Sequence, residues 1–175
     1  DNKKSIDITA NPYIEITPLE GLSFKSILGT SLSADRQGIY SSDHTYMMLA
    51  GSTPEMENAR YRTSLGYDYT WENILDYKIT IADNHNIVAT FITSYTKDHD
   101  EETESYSENF TYEEYLFFNL DAGVNQYVTT YYEEKKRLSY AGRLNYNFTG
   151  KYFITGSVRY DGVSQLTETW DVFPS

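Results

Sequence analysis

Hydrophobic and polar positions alternate along the whole of Tyr61–Ile79. The odd positions are Tyr61, Thr63, Leu65, Tyr67, Tyr69, Trp71, Asn73, Leu75, Tyr77 and Ile79; the even ones include Arg62, Asp68, Glu72, Asp76 and Lys78. A period of two puts these sets on opposite faces of a strand, one aromatic and apolar, the other charged. Soluble strands usually stop at about 5–6 residues, whereas a tilted strand needs roughly 9–11 to cross a hydrocarbon core. The stretch therefore predicts a strand of a membrane β-barrel, one face toward lipid and the other toward a polar lumen.

The same alternation, broken by turn residues, predicts about seven strands. Pro12–Thr17 comes first, turned by Pro18-Leu19-Glu20-Gly21 into Leu22–Arg36. After Tyr61–Ile79, Asp83-Asn84-His85-Asn86 turns into Ile87–Thr96, and Thr149-Gly150 joins Leu138–Phe148 to Lys151–Asp161. Trp170 to Ser175 reads as the entry to a further strand, so the chain is expected to be a piece of a longer one. Gln37–Asn58 and Lys97–Glu134 are expected to be long loops. Short turns alternating with long loops place the turns at the periplasmic end and the loops outside. Tyr69 and Tyr77, Tyr140 and Phe148, and Tyr152 and Tyr160 are each eight apart on the apolar face, a rise of roughly 20 Å in a tilted strand, which suits two aromatic girdles. Asn73 interrupts the apolar face between the first pair.

Composition narrows the class. Hydrophobic residues make up 39% of the 175 with no apolar run long enough for a helical span, and eighteen tyrosines favour strands with aromatic belts. A net charge of −12 argues against nucleic acid, which calls for clustered Lys and Arg. With no cysteine there is neither a disulfide framework nor a thiolate metal site. Asp1-Asn2-Lys3-Lys4 precedes no apolar signal core.

The stretch 143–162, RLNYNFTGKYFITGSVRYDG, followed by Trp170 and Phe173-Pro174-Ser175, resembles the barrel signature of SusC/RagA-type TonB-linked outer-membrane proteins. Pro18–Lys25, Trp71–Tyr77 and His85 before a rising strand extend the resemblance to Asn11–Ser175. The departure is local: that family commonly has Asp-Gly-Ser-Ser and an aromatic two residues later, where this chain has Asp161-Gly162-Val163-Ser164-Gln165-Leu166. The resemblance implies an all-β fold, an antiparallel transmembrane β-barrel of which this chain is a fragment with long extracellular loops. The whole of 1–175 would belong to one barrel domain, with the plug and remaining strands absent. It also implies an integral protein of the outer membrane of a Gram-negative bacterium that actively imports oligosaccharides or peptides. The partners would be a SusD-like surface lipoprotein as lid, outer-membrane lipid, and the TonB complex through parts missing from this chain.

Chemistry is sparse in this sequence. Asp98-His99-Asp100-Glu101-Glu102, with Glu104 and Glu108, offers oxygen ligands for Ca²⁺ but matches no Ca²⁺ loop, so a solvated acidic segment is expected. Asp43-His44 and Asp98-His99 could be acid–base pairs, yet no nucleophile accompanies them, and the expectation is no enzyme, no cofactor and no metal. Asn109-Phe110-Thr111 and Asn147-Phe148-Thr149 match a glycosylation pattern that carries no meaning in a bacterial barrel. The aromatic segment with Tyr112, Tyr115, Phe117, Phe118, Tyr127, Tyr131 and Tyr132 is richer in rings than an idle connection needs. Tyr112, Tyr115 and Tyr127 are the candidate contacts for ligand or lid. Charged ladders, Arg62, Asp68, Glu72, Arg143 and Arg159, are expected on the luminal face. The alternative class is a soluble or surface-anchored β-sandwich that binds glycans, its apolar faces meeting in a core.

Overall fold

In a computed structural model, residues 1–42, 57–110, 116–164 and 171–174 are described. They form eight strands: β1 (Asn2–Ala10), β2 (Tyr13–Leu19), β3 (Leu22–Ser41), β4 (Asn58–Ile81), β5 (His85–Phe110), β6 (Gly123–Phe148), β7 (Tyr152–Val163) and β8 (Asp171–Pro174). All belong to one sheet in the order β1, β3, β4, β5, β6, β7, β8, with β2 also paired to β3. The registers of β2 with β3, β6 with β7 and β7 with β8 are antiparallel. Among the described residues no helix is long and apolar enough to cross a membrane. The sandwich alternative needs a second sheet over the apolar face, and the described strands make one sheet.

Two expectations are corrected. Lys97–Glu134 is not a loop: β5 runs on to Phe110 and β6 begins at Gly123, with short 3₁₀ turns at Leu116–Phe118 and Leu120–Ala122. Backbone pairing needs no apolar face, and polar pairs hold these extensions, Arg60 with Glu104 and Arg62 with Glu102 among them. Gln37–Asn58 also shrinks, since β3 continues to Ser41 and β4 starts at Asn58; residues 43–56 lie outside the described residues. Strand β1 was not anticipated. Ile6 and Ile8 do alternate there, but Lys3-Lys4 and Asp7 mask the pattern.

The tight turns fall where the sequence puts them. Gly21 has φ 79°, and a Cβ there would meet the Lys78 carbonyl oxygen at 2.1 Å, so only glycine fits this close approach. Lys78 N donates to Gly21 O at 2.7 Å. At the β6–β7 turn Thr149 and Gly150 both have positive φ, 51° and 71°, and Lys151 N donates to Phe148 O at 3.0 Å, the pattern of a type I′ turn. Gly150 N donates to the Asn147 side chain at 2.9 Å, which gives Asn147 a turn role.

The chain divides into two compact units. In the second unit (Thr9–Ser31, Asp68–Asp98 and Glu134–Ser175), the β6–β7 register pairs Gly142 with Val158 and Leu144 with Gly156, and between them Arg143 with Ser157. Leu144 and Val158 therefore share one face, and Arg143 and Asn145 the other, as the alternation requires. The ring pair of Tyr69 with Tyr95 and the side-chain pair of Thr70 with Thr96 show the same segregation between β4 and β5. The apolar face of this unit is open: Ile14 is 70% and Ile154 67% exposed. In the first unit (Asp1–Ile8, Leu32–Tyr67 and His99–Glu133), Phe117 is buried against Gly38, where a Cβ would meet its ring at 2.2 Å.

Candidate functional site: two aromatic levels and an acidic recess

In the second unit, aromatic side chains gather at two levels of the apolar face. At one level His85 lies 4.8 Å from Phe148 between ring centroids, its Nδ1 is 2.7 Å from the Tyr146 hydroxyl, and Phe148 is 6.3 Å from Tyr152. At the other, Tyr69 and Tyr95 are 5.9 Å apart. His85 and Tyr95 are ten positions apart on β5. At about 3.3 Å per residue and a tilt near 40°, that is roughly 25 Å, the height of an apolar band between girdles. The polar groups on this face are satisfied sideways: Trp71 Nε1 donates to Ser26 Oγ at 3.0 Å, and Asn73 Nδ2 to Thr93 Oγ1 at 3.4 Å. Asn73 is thus no breach in the face.

The opposite face of the same unit is a hydrogen-bonded polar ladder. Asp68 accepts from Ser31, Asn145 accepts from Thr155 at 3.0 Å, and Asp161 accepts from Ser139 and pairs with Arg159 at 2.8 Å.

In the first unit the charged face is built by β1, β3, β4, β5 and β6. Lys3 pairs with Asp35 at 3.6 Å, Arg60 with Glu104 at 3.8 Å, and Arg62 bonds Glu102. A recess of about 300 Å³ opens among Ser33, Asp35, Ser64, Gly66, Asp100, Glu102 and Tyr131. Gly66 makes room there, since a Cβ on it would stand 2.9 Å from Asp100 Oδ1. Tyr127 lies within a ring and hydrogen-bond network: it is 6.0 Å from Tyr106, whose ring carries the Arg60 guanidinium at 5.5 Å and whose hydroxyl donates to Glu108 at 3.0 Å. Asn125 donates to the other oxygen of Glu108 at 3.0 Å.

The sequence candidates fare unequally. Tyr127 sits on strand β6 and not in a loop, with 56% of its surface open. Tyr112 and Tyr115 lie outside the described residues, as do Asp43 and His44. Asp98 and His99 make no acid–base pair: consecutive strand residues point to opposite faces. His99 is instead stacked on Tyr67 at 4.4 Å, edge-on to Tyr132 at 5.1 Å, with Nε2 3.5 Å from Glu101. The acidic run is spread along β5, with Glu102, Glu104 and Glu108 each taken by a neighbour. Among the described residues no group of three or more side chains is placed to hold a metal. Sequence reading missed the Gly66–Asp100 recess, because its walls come from separate strands.

A sheet with an aromatic-belted apolar face and a hydrogen-bonded polar face defines a class, the wall of a membrane β-barrel. No family model matches the chain. TonB-dependent receptors P39 and P3 of Formosa agariphila are 28% and 27% identical to it over its whole length, and the chain spans 17% of the length of each. In fold it superposes on the RagAB peptide transporter with a TM-score of 0.84 at 23% identity, covering 96% of this chain and 19% of that one. The RagAB peptide importer in its open-open state gives the same TM-score over 98% of this chain. The chain is thus similar in sequence to TonB-dependent receptors and in fold to part of the RagAB peptide transporter.

Proposed function

We propose that this chain forms part of the barrel wall of an outer-membrane, TonB-dependent importer, integral to a Gram-negative envelope, that takes up oligosaccharides or peptides. Its companions in this reading are a SusD-like surface lipoprotein acting as lid and the TonB complex, engaged through parts of the protein outside these 175 residues. The observation that carries the membrane half of the reading is the separation of the His85 and Tyr95 levels, roughly 25 Å apart on a face whose side chains between them bear no charge. The transport half is supported by the relatives' naming as TonB-dependent receptors and by fold neighbours described as a peptide transporter.

The experiment uses the full-length protein in its own host. Extraction from envelopes should need detergent, and a deletion strain should lose uptake of a peptide pool or a glycan pool, regained with the intact gene. Release into a detergent-free wash removes the membrane reading; undiminished uptake of both pools in the deletion strain removes the importer reading. Loss of one pool alone assigns the substrate class.

A further inference from the structure

Among the described residues of the second unit, three charged side chains break the neutrality of the apolar face, and they do so at one place. On β5, Lys97 follows Tyr95 by one step on the same face, and on β6, Glu134 and Lys136 precede Leu138 and Tyr140. Glu134 grips both lysines at once, Lys97 at 2.8 Å through one carboxylate oxygen and Lys136 at 2.6 Å through the other. All three belong to the second unit. Their level is just past the Tyr69–Tyr95 ring pair, on the side away from the tight turns at 82–84 and 149–150.

We propose that Lys97 and Lys136 form a binding site for the phosphate group of an outer-leaflet glycolipid. The inference rests on the outer-membrane reading above, with the tight turns at the periplasmic end. Two ammonium groups and one carboxylate leave a net positive charge where hydrocarbon gives way to headgroups. Each ammonium carries three N–H donors, more between the two than the single Glu134 carboxylate can accept. Glu134 therefore holds the two cations at a fixed spacing rather than cancelling them. Lysine stems lie along apolar surface with their heads at the interface, and a basic side chain near an anionic leaflet adds to its attraction. The phosphate is the charge that complements this pair, and the uncharged band adjoining it is where the same lipid's acyl chains lie.

The test uses the full-length protein purified in mild detergent, with bound lipid read by native mass spectrometry. The probes are a phosphorylated lipid A, the same lipid dephosphorylated, and inorganic phosphate. Lys97→Gln and Lys136→Gln should each lower retention of the phosphorylated lipid by about fivefold, and Lys97→Arg with Lys136→Arg should preserve it. The dephosphorylated lipid should bind wild type and variants alike. Heat-modifiable gel mobility checks that each variant is a folded barrel, and the arginine pair reads out if the glutamine pair does not fold. Equal retention of the two lipids by wild type, or unchanged retention in the folded glutamine pair, overturns the site. Competition by millimolar inorganic phosphate to the extent of the lipid overturns the lipid as its occupant. Detergent-free release of the parent would strike the outer-membrane reading instead, so the two failures are distinct.

Discussion

The Asn73 amide donates to the Thr93 hydroxyl at 3.4 Å on the apolar face, each side chain serving as the other's partner where no water is at hand. An amide left alone in an apolar medium costs about 1–3 kcal/mol on mutational scales. Thr93→Val should therefore lower the stability of the full-length barrel by roughly 1–2 kcal/mol. Asn73→Leu combined with Thr93→Val should recover it, because both polar groups are then gone. Urea unfolding in detergent followed by tryptophan fluorescence measures the cycle. Additive losses in the double variant would show that the pair carries no coupling.

Two glycines stand in unlike surroundings. At Gly123 a Cβ would meet Ser107 Oγ at 2.0 Å and the Glu108 carbonyl oxygen at 2.9 Å, and Ser107 is fully buried. Gly123→Ala should cost about 1–3 kcal/mol by overpacking and lower the amount of folded protein. At Gly66 the close neighbour is the tip of Asp100, which can swing aside, and the His99 carbonyl at 3.8 Å is in ordinary contact. Gly66→Ala should leave abundance unchanged and narrow the recess, and a shift in substrate affinity would assign the recess to capture. Quantitative blotting of envelopes beside a binding assay separates the two effects, and equal abundance losses would deny the distinction.

What the sequence makes legible is the part of the sheet that faces apolar surroundings. Tyr61–Ile79 declares its period because lipid demands one kind of side chain on every second position. Beyond Tyr95 and before Leu138 that demand lapses, both faces become polar, and the alternation of Asp98–Ser107 and Asn125–Glu133 carries no apolar contrast to read. Strands there are held by partners distant in sequence, such as Arg62 with Glu102, so a single-strand pattern cannot reveal them. Between these strands a short 3₁₀ turn forms at Leu116–Phe118. The ring-rich composition of the segment says nothing of the strand that carries Tyr127.

Leu144 lies on the apolar face opposite Gly156 and is 52% exposed. A cation there near the middle of a bilayer costs about 2–4 kcal/mol. Leu144→Arg should lower the folded fraction in the outer membrane, whereas Arg143→Leu, one residue away on the polar face, should not. Heat-modifiable mobility on gels reports folding, and an unaffected Leu144→Arg would place this face away from lipid.

Tyr127 and Tyr132 sit on the same strand, are similarly exposed, and point to opposite faces. Tyr127 joins Tyr106, Arg60 and Glu108 on the charged face, while Tyr132 stands edge-on to His99 on the other. If capture takes place on the charged face, the two tyrosines must differ in effect although their chemistry is the same. Tyr127→Ala in the full-length protein should weaken substrate or lid binding by an amount on the order of 1 kcal/mol, the scale of one aromatic contact. Tyr132→Ala should leave that binding unchanged, and both variants should reach the outer membrane in normal amounts. Calorimetric titration of the purified protein with a peptide or oligosaccharide and with the proposed SusD-like lipoprotein measures this directly. Should Tyr132→Ala be the one that weakens binding, capture belongs to the opposite face; should neither, the Tyr106–Tyr127 pair only packs the wall.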